Sequence, residues 1–176
     1  LDYASAGGEI GGYLQRRKCR NVLAVCNVSD NASLRELNRE LSASIAAHTF
    51  RLPLFEAEKQ MEKGDYTLFD RIQAQLIEHM AANEYDAVFC PFDFPLEWLL
   101  FDGFPAELRR KVRLVTLHGV FPGVHSREYC RAGIVSWVAP HDQLIRTAVT
   151  RLEKWHSKKH APVGVKKIRL VFEDQP

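Results

Sequence analysis

The 176-residue chain lacks any apolar run near the ~20 residues that a membrane-spanning helix needs, because Asp, Arg or Pro interrupts the longest candidates. A membrane protein of the helical kind is therefore not expected. Cysteine is scarce and scattered: Cys19, Cys26, Cys90 and Cys130 show no C-x-x-C spacing, which argues against structural zinc. Three of them sit in or beside apolar segments, where a free thiol behaves as a small hydrophobe, and this fits a reducing cytoplasm. Charge of one sign is not in excess either, since 24 Lys and Arg face 22 Asp and Glu. With 46% hydrophobic residues the chain can hold a core without staples, which excludes disorder and disulfide-stapled miniproteins. Phosphate loops are missing: Gly7-Gly8 and Gly11-Gly12 neither follow a strand nor match G-x-G-x-x-G or G-x-x-x-x-G-K. There is no G-x-S-x-G elbow and no H-E-x-x-H. The seven histidines, His48, His79, His118, His125, His141, His156 and His160, lack metal-ligand spacing, so no metal and no cofactor is expected. The opening Leu1-Asp2-Tyr3-Ala4 has no secretory signal and no initiator Met, and the expectation is that the chain was cut from something longer.

What is present is an alternation of buried strands and amphipathic helices. Short β-branched apolar runs at 22–26, 86–90 and 112–117 read as strands covered on both faces. From Ser33, Leu34, Leu37, Leu41 and Ile45 recur at helical spacing, and Ser33-Leu-Arg-Glu36 has the spacing of a capping box. Further helices are expected at 67–82, at 96–101 behind Pro95, and at 141–158, where Leu144, Ile145, Ala148, Val149, Leu152 and Trp155 form one stripe. Residues 166–172 alternate with period two, as a terminal strand would. Strands alternating with helices predict parallel βαβ crossovers, and so a three-layer α/β fold, a parallel sheet with helices on both faces.

Candidate chemistry has to use isolated residues. Cys90 as nucleophile with His118 as base would stand at the carboxyl ends of two parallel strands, but Cys90 as core filler and His118 as a crevice lining is the preferred reading. The basic clusters at 16–20, 109–111 and 158–159 lie at helix ends or before strands without interleaved aromatics, and read as solvated surface. Residues 27–31, Pro91-Phe92-Asp93-Phe94-Pro95 and His118-Gly-Val-Phe121 follow the three strands. Together they would put a carboxylate, an imidazole and aromatic faces at one sheet edge, a plausible small-molecule pocket. Phe92, Phe94, Trp98 and Phe121 are candidates to stack on a ligand, although core packing accounts for any one of them.

The order of these segments resembles the lactose-repressor/galactose-repressor family of bacterial regulators. The resemblance rests on Tyr13-Leu-Gln-Arg-Arg-Lys-Cys-Arg-Asn-Val22 as helix, basic turn and strand, and on Ser33-Leu-Arg35-Glu-Leu-Asn as the helix that follows. It continues through Tyr85-Asp-Ala-Val-Phe-Cys-Pro-Phe-Asp93, Lys111-Val-Arg-Leu-Val-Thr-Leu-His118, the stretch 133–152, and the closing strand Ile168-Arg-Leu-Val-Phe-Glu. The resemblance implies an effector-binding domain like a type I periplasmic sugar-binding protein. A complete C-terminal subdomain would span 27–137 and 163–176, and part of the N-terminal subdomain would span 1–26 and 138–162. It implies a transcriptional regulator rather than an enzyme, with a small-molecule effector, and DNA contacted through a region absent from this chain. It also implies a homodimer, formed in part by the helix around Leu96, Trp98 and Leu99 and the loop around Tyr129. Arg35 corresponds to the helix arginine that fixes sugar hydroxyls, and Asp93 to the second member of an Asn-Asp pair. Phe92 replaces the family's Asn, and His118 replaces an Asp that ends a strand. A neutral imidazole offers one acceptor where a carboxylate accepts paired hydroxyls. The expected site, Arg35, Phe92, Asp93, His118 and Phe121, therefore points away from a plain neutral hexose and towards a phosphorylated sugar or small acid. An exported solute-binding receptor of the same fold, or a small α/β enzyme using Cys90 and His118, are the alternatives.

Overall fold

The computed structural model describes residues 1–28, 31–91, 103–118, 133–158 and 167–173. Within them the chain forms α1 (Tyr3–Arg16), β1 (Asn21–Asn27), α2 (Ala32–Ser44), β2 (Ala46–Leu52), α3 (Leu54–Met61) and α4 (Thr67–Ala82). There follow β3 (Ala87–Cys90), α5 (Ala106–Lys111), β4 (Arg113–His118), β5 (Ile134–Val138), α6 (His141–Lys158) and β6 (Val171–Glu173). The strands join in one six-stranded sheet of order β2-β1-β3-β4-β5-β6.

Alternation along each strand divides the core in two. Val22, Ala24 and Cys26 of β1, Phe89 of β3 and Trp137 of β5 face α1 and α2, where Ile10, Leu14, Leu37 and Leu41 close over them. Leu23, Val25, Val88 and Cys90 point to the opposite face and meet Leu54, Ile72, Leu76 and Met80 of α3 and α4. A sheet with apolar residues on both faces can only be buried between two helix layers, so the expected three-layer α/β arrangement is what forms. The pairings β1 to β5 are parallel and β6 returns antiparallel to β5, with Trp137 opposite Phe172. The sheet is thus mostly, not wholly, parallel.

Several local expectations are corrected. The cap of α2 is Asn31, whose Oδ1 accepts the Leu34 N–H at 3.0 Å, two residues before Ser33. Ile45 leaves the helix with extended backbone and starts the passage into β2. The terminal strand is shorter than 166–172: Ile168 and Leu170 are buried in alternation with exposed Lys167 and Arg169, but ladder pairing is confined to Val171–Glu173. Strand β1, which runs through residue 26, is an interior strand bonded to both β2 and β3. The stripe on α6 is also not covered by any described residue: Ile145, Leu152 and Trp155 are 61%, 57% and 52% exposed. The expected helix at 96–101 lies outside the described residues.

The glycine pairs expected to carry no nucleotide lie inside α1. A Cβ at Gly7 would meet the Leu37 carbonyl oxygen of α2 at 2.3 Å, and one at Gly11 would meet Ser44 Cβ at 2.4 Å. They let two helix backbones approach closely, which is a packing role.

At the amino edge of the sheet Asp86 ties strands together. Its Oδ2 accepts the N–H of Arg20 at 2.6 Å and of Asn21 at 2.9 Å, its own N–H donates to the Asn21 carbonyl, and its carbonyl accepts from the Arg113 N–H. These bonds to Asn21 and then Arg20 hold the carboxyl below its ordinary value. A carboxylate with a depressed folded pKa contributes stability that is complete above its unfolded value and is lost as pH falls through the folded one. Asp86→Asn is therefore expected to lower the urea midpoint near neutral pH, and the gap to the parent should close below about pH 4. A gap that persists unchanged on acidification would show that the charge is not what matters.

Candidate functional site

The chain leaves β1 for β2 on one side and then crosses back to β3 on the other, so connections diverge between β1 and β3. In open α/β sheets such a switch point leaves a crevice outside the carboxyl ends of the two strands, and ligands bind there. The residues that follow β1 and β3 are therefore the ones with access to it.

On the β1 side the strand ends in Asn27, fully buried, whose Oδ1 accepts the Phe55 N–H at 3.3 Å and whose carbonyl accepts from Arg51 Nη1 at 3.2 Å. These bonds fasten β1 to β2 and to the start of α3. Asn31 then opens α2, so the free N–H groups of that helix lie at this edge, where a helix dipole favours negative charge. Arg35 stands in the second turn with an exposed side chain. One turn further, Asn38 is buried and its Nδ2 donates to Cys26 Sγ at 3.1 Å, while its Oδ1 is enclosed without a hydrogen-bond partner. An enclosed amide oxygen left unpaired costs about 1–3 kcal/mol, so this acceptor marks a position that a donor would relieve.

Further along the edge, Cys90, Thr116 and Ser136 occupy one register row across β3, β4 and β5. All three are buried. His118 is the last residue of β4, opposite Val138 of β5, which places its backbone at the same carboxyl edge. Arg35 and the backbone of His118 thus share one edge of the sheet, whereas Phe92, Asp93 and Phe121 lie outside the described residues, as do Leu96, Trp98, Leu99 and Tyr129. Cys90 is fully buried in the core layer with Val88 and Leu114. A nucleophile has to reach its substrate, so this environment suits a packing thiol.

Sequence reasoning placed Asn27 at this edge, in the stretch 27–31, but did not single out Asn38, Thr116 or Ser136. A usable signal existed for two of them. Asn38 lies on the apolar stripe of α2 at the spacing of Leu34, Leu37 and Leu41, and Thr116 interrupts an apolar run. Among the described residues no group of three His, Cys, Asp or Glu could hold a metal ion. No described helix is long and apolar enough to cross a membrane. A cavity of about 710 Å³ runs along the polar face of α6 past Arg146, Thr150 and Lys154.

No family model and no curated protein sequence matches the chain. Solved structures do. A LacI family transcriptional regulator from Enterococcus faecalis V583 with bound ribose superposes with a TM-score of 0.63 at 16% identity, over 92% of this chain and 55% of that one. The Cra transcriptional dual regulator from Pseudomonas putida, in complex with fructose 1-phosphate, superposes with a TM-score of 0.71 at 14% identity, over 98% of this chain and 61% of that one. The chain therefore spans somewhat over half the length of these regulators. The fold is the periplasmic-binding-protein type I fold of their effector-binding domains.

Proposed function

We propose that the chain is the ligand-sensing part of a transcriptional regulator, which takes a small sugar-like effector at the β1/β3 crevice and couples its binding to DNA affinity. The observation that carries this reading is the fold itself, a doubly wound sheet shared with two effector-bound regulators, with Arg35 and the start of α2 at its switch point. Ligand would act by binding one of two conformations more tightly, since only differential affinity shifts an equilibrium. Catalysis has no part in this scheme.

The effector is proposed to be anionic, a phosphorylated sugar or small organic acid. The neighbours carry one neutral and one phosphorylated sugar. Phe92 and His118 stand where the resembled family has an amide and a carboxylate, while Arg35 and the α2 N-terminus both favour negative charge. Asp93 and Phe121 complete the proposed lining. Arg35→Met is expected to weaken such a ligand about 10- to 100-fold, the worth of a charge-assisted hydrogen bond of about 1.5–3 kcal/mol. Calorimetric titration of ribose, fructose 1-phosphate and small organic acids checks it. Binding of neutral sugars alone, or an Arg35→Met variant with unchanged affinity, would sink the anionic assignment.

The exposed stripe of α6 supports a further part of the proposal, that residues 138–162 pack against another portion of an effector module of the neighbours' size. An amphipathic helix of 18 residues is stabilised chiefly by covering its apolar face. Contact with DNA, a homodimer through the regions of Leu96 and Tyr129, and a cytoplasmic location belong to the same reading. A strictly monomeric intact protein in sedimentation would count against it.

A further inference from the structure

Two basic clusters that are remote in sequence meet at the amino edge of the sheet, opposite the effector crevice. Arg17, Lys18, Arg109, Arg110, Lys111 and Arg113 all line one cavity of about 530 Å³. Six of the chain's 24 basic residues are thus gathered around one space, in a molecule whose net charge is only +2. Among the described residues the lining contains one carboxylate, Asp86, whose Oδ2 accepts the backbone N–H groups of Arg20 and Asn21. Helices α1 and α5 both end here, and each C-terminus contributes about half a negative charge. Those ends and Asp86 offset part of this positive charge.

Two local features separate this cavity from an ordinary solvated patch. Arg113 Nε is enclosed without a hydrogen-bond partner, beside the buried Cys19 thiol, which its own burial pushes up. Nε itself is closed off, but Arg113 also lines the cavity, so its guanidinium stands where an anion would find a donor. Lys18 takes a left-handed backbone (φ 63°) just past the end of α1, a position where Gly carries no steric cost. There the chain turns back with Cys19 N–H bonded to the Leu14 carbonyl, and Lys18 remains on the cavity wall.

We propose that this cavity is a second binding site, for a small molecule that carries two or more linked phosphate groups. The cavity has the volume of a small-molecule site. Planar guanidinium forks match phosphate oxygens two at a time, and four of the six cations are arginines. Cations brought to one wall from two remote segments suit an anion with more than one phosphate group, which can reach both segments at once.

Calorimetric titration of the full chain with inorganic diphosphate, inorganic triphosphate, a nucleoside triphosphate, orthophosphate and a short DNA duplex tests the assignment. Diphosphate and triphosphate are expected to saturate a single site with Kd below about 100 µM, and orthophosphate to bind at least about 10-fold more weakly. A nucleoside triphosphate equal to triphosphate assigns the site to the phosphates alone, and a tighter one adds the nucleoside as a source. Arg110→Ser with Lys111→Ser, both exposed, should weaken diphosphate about 10-fold or more, and Arg113→Met, with folding checked by circular dichroism, should do likewise. Effector binding at the crevice should remain as in the parent, which keeps this proposal separable from the sensing function. The proposal fails if no polyphosphate binds up to about 1 mM, if the variants bind as the parent does, or if the duplex binds more tightly than diphosphate with the same sensitivity.

Discussion

Adding one methyl group at both Gly7 and Gly11 is expected to cost up to about 4 kcal/mol of stability, while the same change at Gly8 and Gly12, one residue along the same helix, raises it. The four positions share helical backbone, so intrinsic propensity favours Ala over Gly by about 1 kcal/mol at each. Packing decides the difference. The new Cβ at Gly7 would lie 2.3 Å from a backbone oxygen of α2, which cannot swing aside as a side chain would, and at Gly11 the obstacle is the Cβ of Ser44. Relief requires α1 to move off α2, and that opens the layer in which Ile10, Leu14, Leu37 and Leu41 are fully buried. Overpacking of this kind costs about 1–3 kcal/mol per site, which at a backbone contact as close as that of Gly7 outweighs the propensity gain. Nothing stands within 4 Å of a Cβ at Gly8, and at Gly12 only the far end of Arg16 approaches, at 3.4 Å. Gly8→Ala with Gly12→Ala should therefore gain about 1–2 kcal/mol, the propensity term alone. At about 2–4 °C per kcal/mol for a chain of this length, the two double variants should straddle the parent melting temperature clearly. Equal shifts for both pairs would mean that α1 does not lie on α2 as described.

The same pairs show where sequence reading succeeded and where it stopped. Gly7 and Gly11 were separable from a phosphate loop because no strand precedes them, yet nothing local says which neighbour they accommodate; that is a fact of the tertiary contact with α2. Helices α4 and α6 begin and end where their apolar periodicity and flanking residues place them, because long stripes average over local noise. Strand β2 was missed. As an edge strand it has one bonded neighbour, and Ala46-Ala-His-Thr-Phe-Arg-Leu52 is largely exposed and shows no continuous apolar run. Helix α3, of eight residues directly behind Pro53, is too short to declare a stripe. At the candidate site Arg35 was legible through a resemblance in pattern, since its charge alone is like that of any exposed helical arginine. Asn27 was placed at the edge only as part of 27–31, and Asn38 was not singled out, because burial of a polar side chain is decided by what folds over it. The basic clusters at 16–20 and 109–111 were each read as solvated surface in isolation, and Arg113 as part of the strand at 112–117. Their meeting depends on β1 and β4 starting at the same edge of one sheet, which sequence distance conceals.

The α6 stripe carries the same lesson with the opposite sign. Its periodicity is the cleanest in the chain, and still the described residues leave it uncovered. Amphipathicity reports that a helix has a face to bury and is silent about the partner. Trp155 and Trp137 make the contrast concrete: one is half exposed on that stripe, the other is 2% exposed in the sheet.

Trp137→Ala is expected to be the most damaging single substitution, at about 3–5 kcal/mol. Among the described residues Trp137 is the bulkiest fully buried side chain, and it fixes three elements at once. From β5 its indole packs edge-on to Tyr13 of α1, with centroids 5.6 Å apart, and against Phe172 of β6 at 4.6 Å, while Nε1 donates to Glu9 Oε2 at 3.3 Å. Tyr13 also touches Phe172 directly, so the three rings close a triangle. Truncation leaves a cavity that a strand bonded to neighbours on both sides cannot collapse into, which puts the cost at the high end for a large aromatic. Loss should also be unevenly distributed. Strand β6 has three residues and one bonded neighbour, so without the Trp137 contact its pairing is the first to open, and amide exchange at 171–173 should accelerate more than in β1 or β3. Trp137→Phe separates the two contributions: it keeps most of the apolar volume and forfeits the Glu9 bond, so about 1–2 kcal/mol is expected. Chemical denaturation of the two variants beside the parent reads all of this. A Trp137→Ala cost below about 1 kcal/mol would place the indole outside the core and dissolve the link between β5, β6 and the first helix.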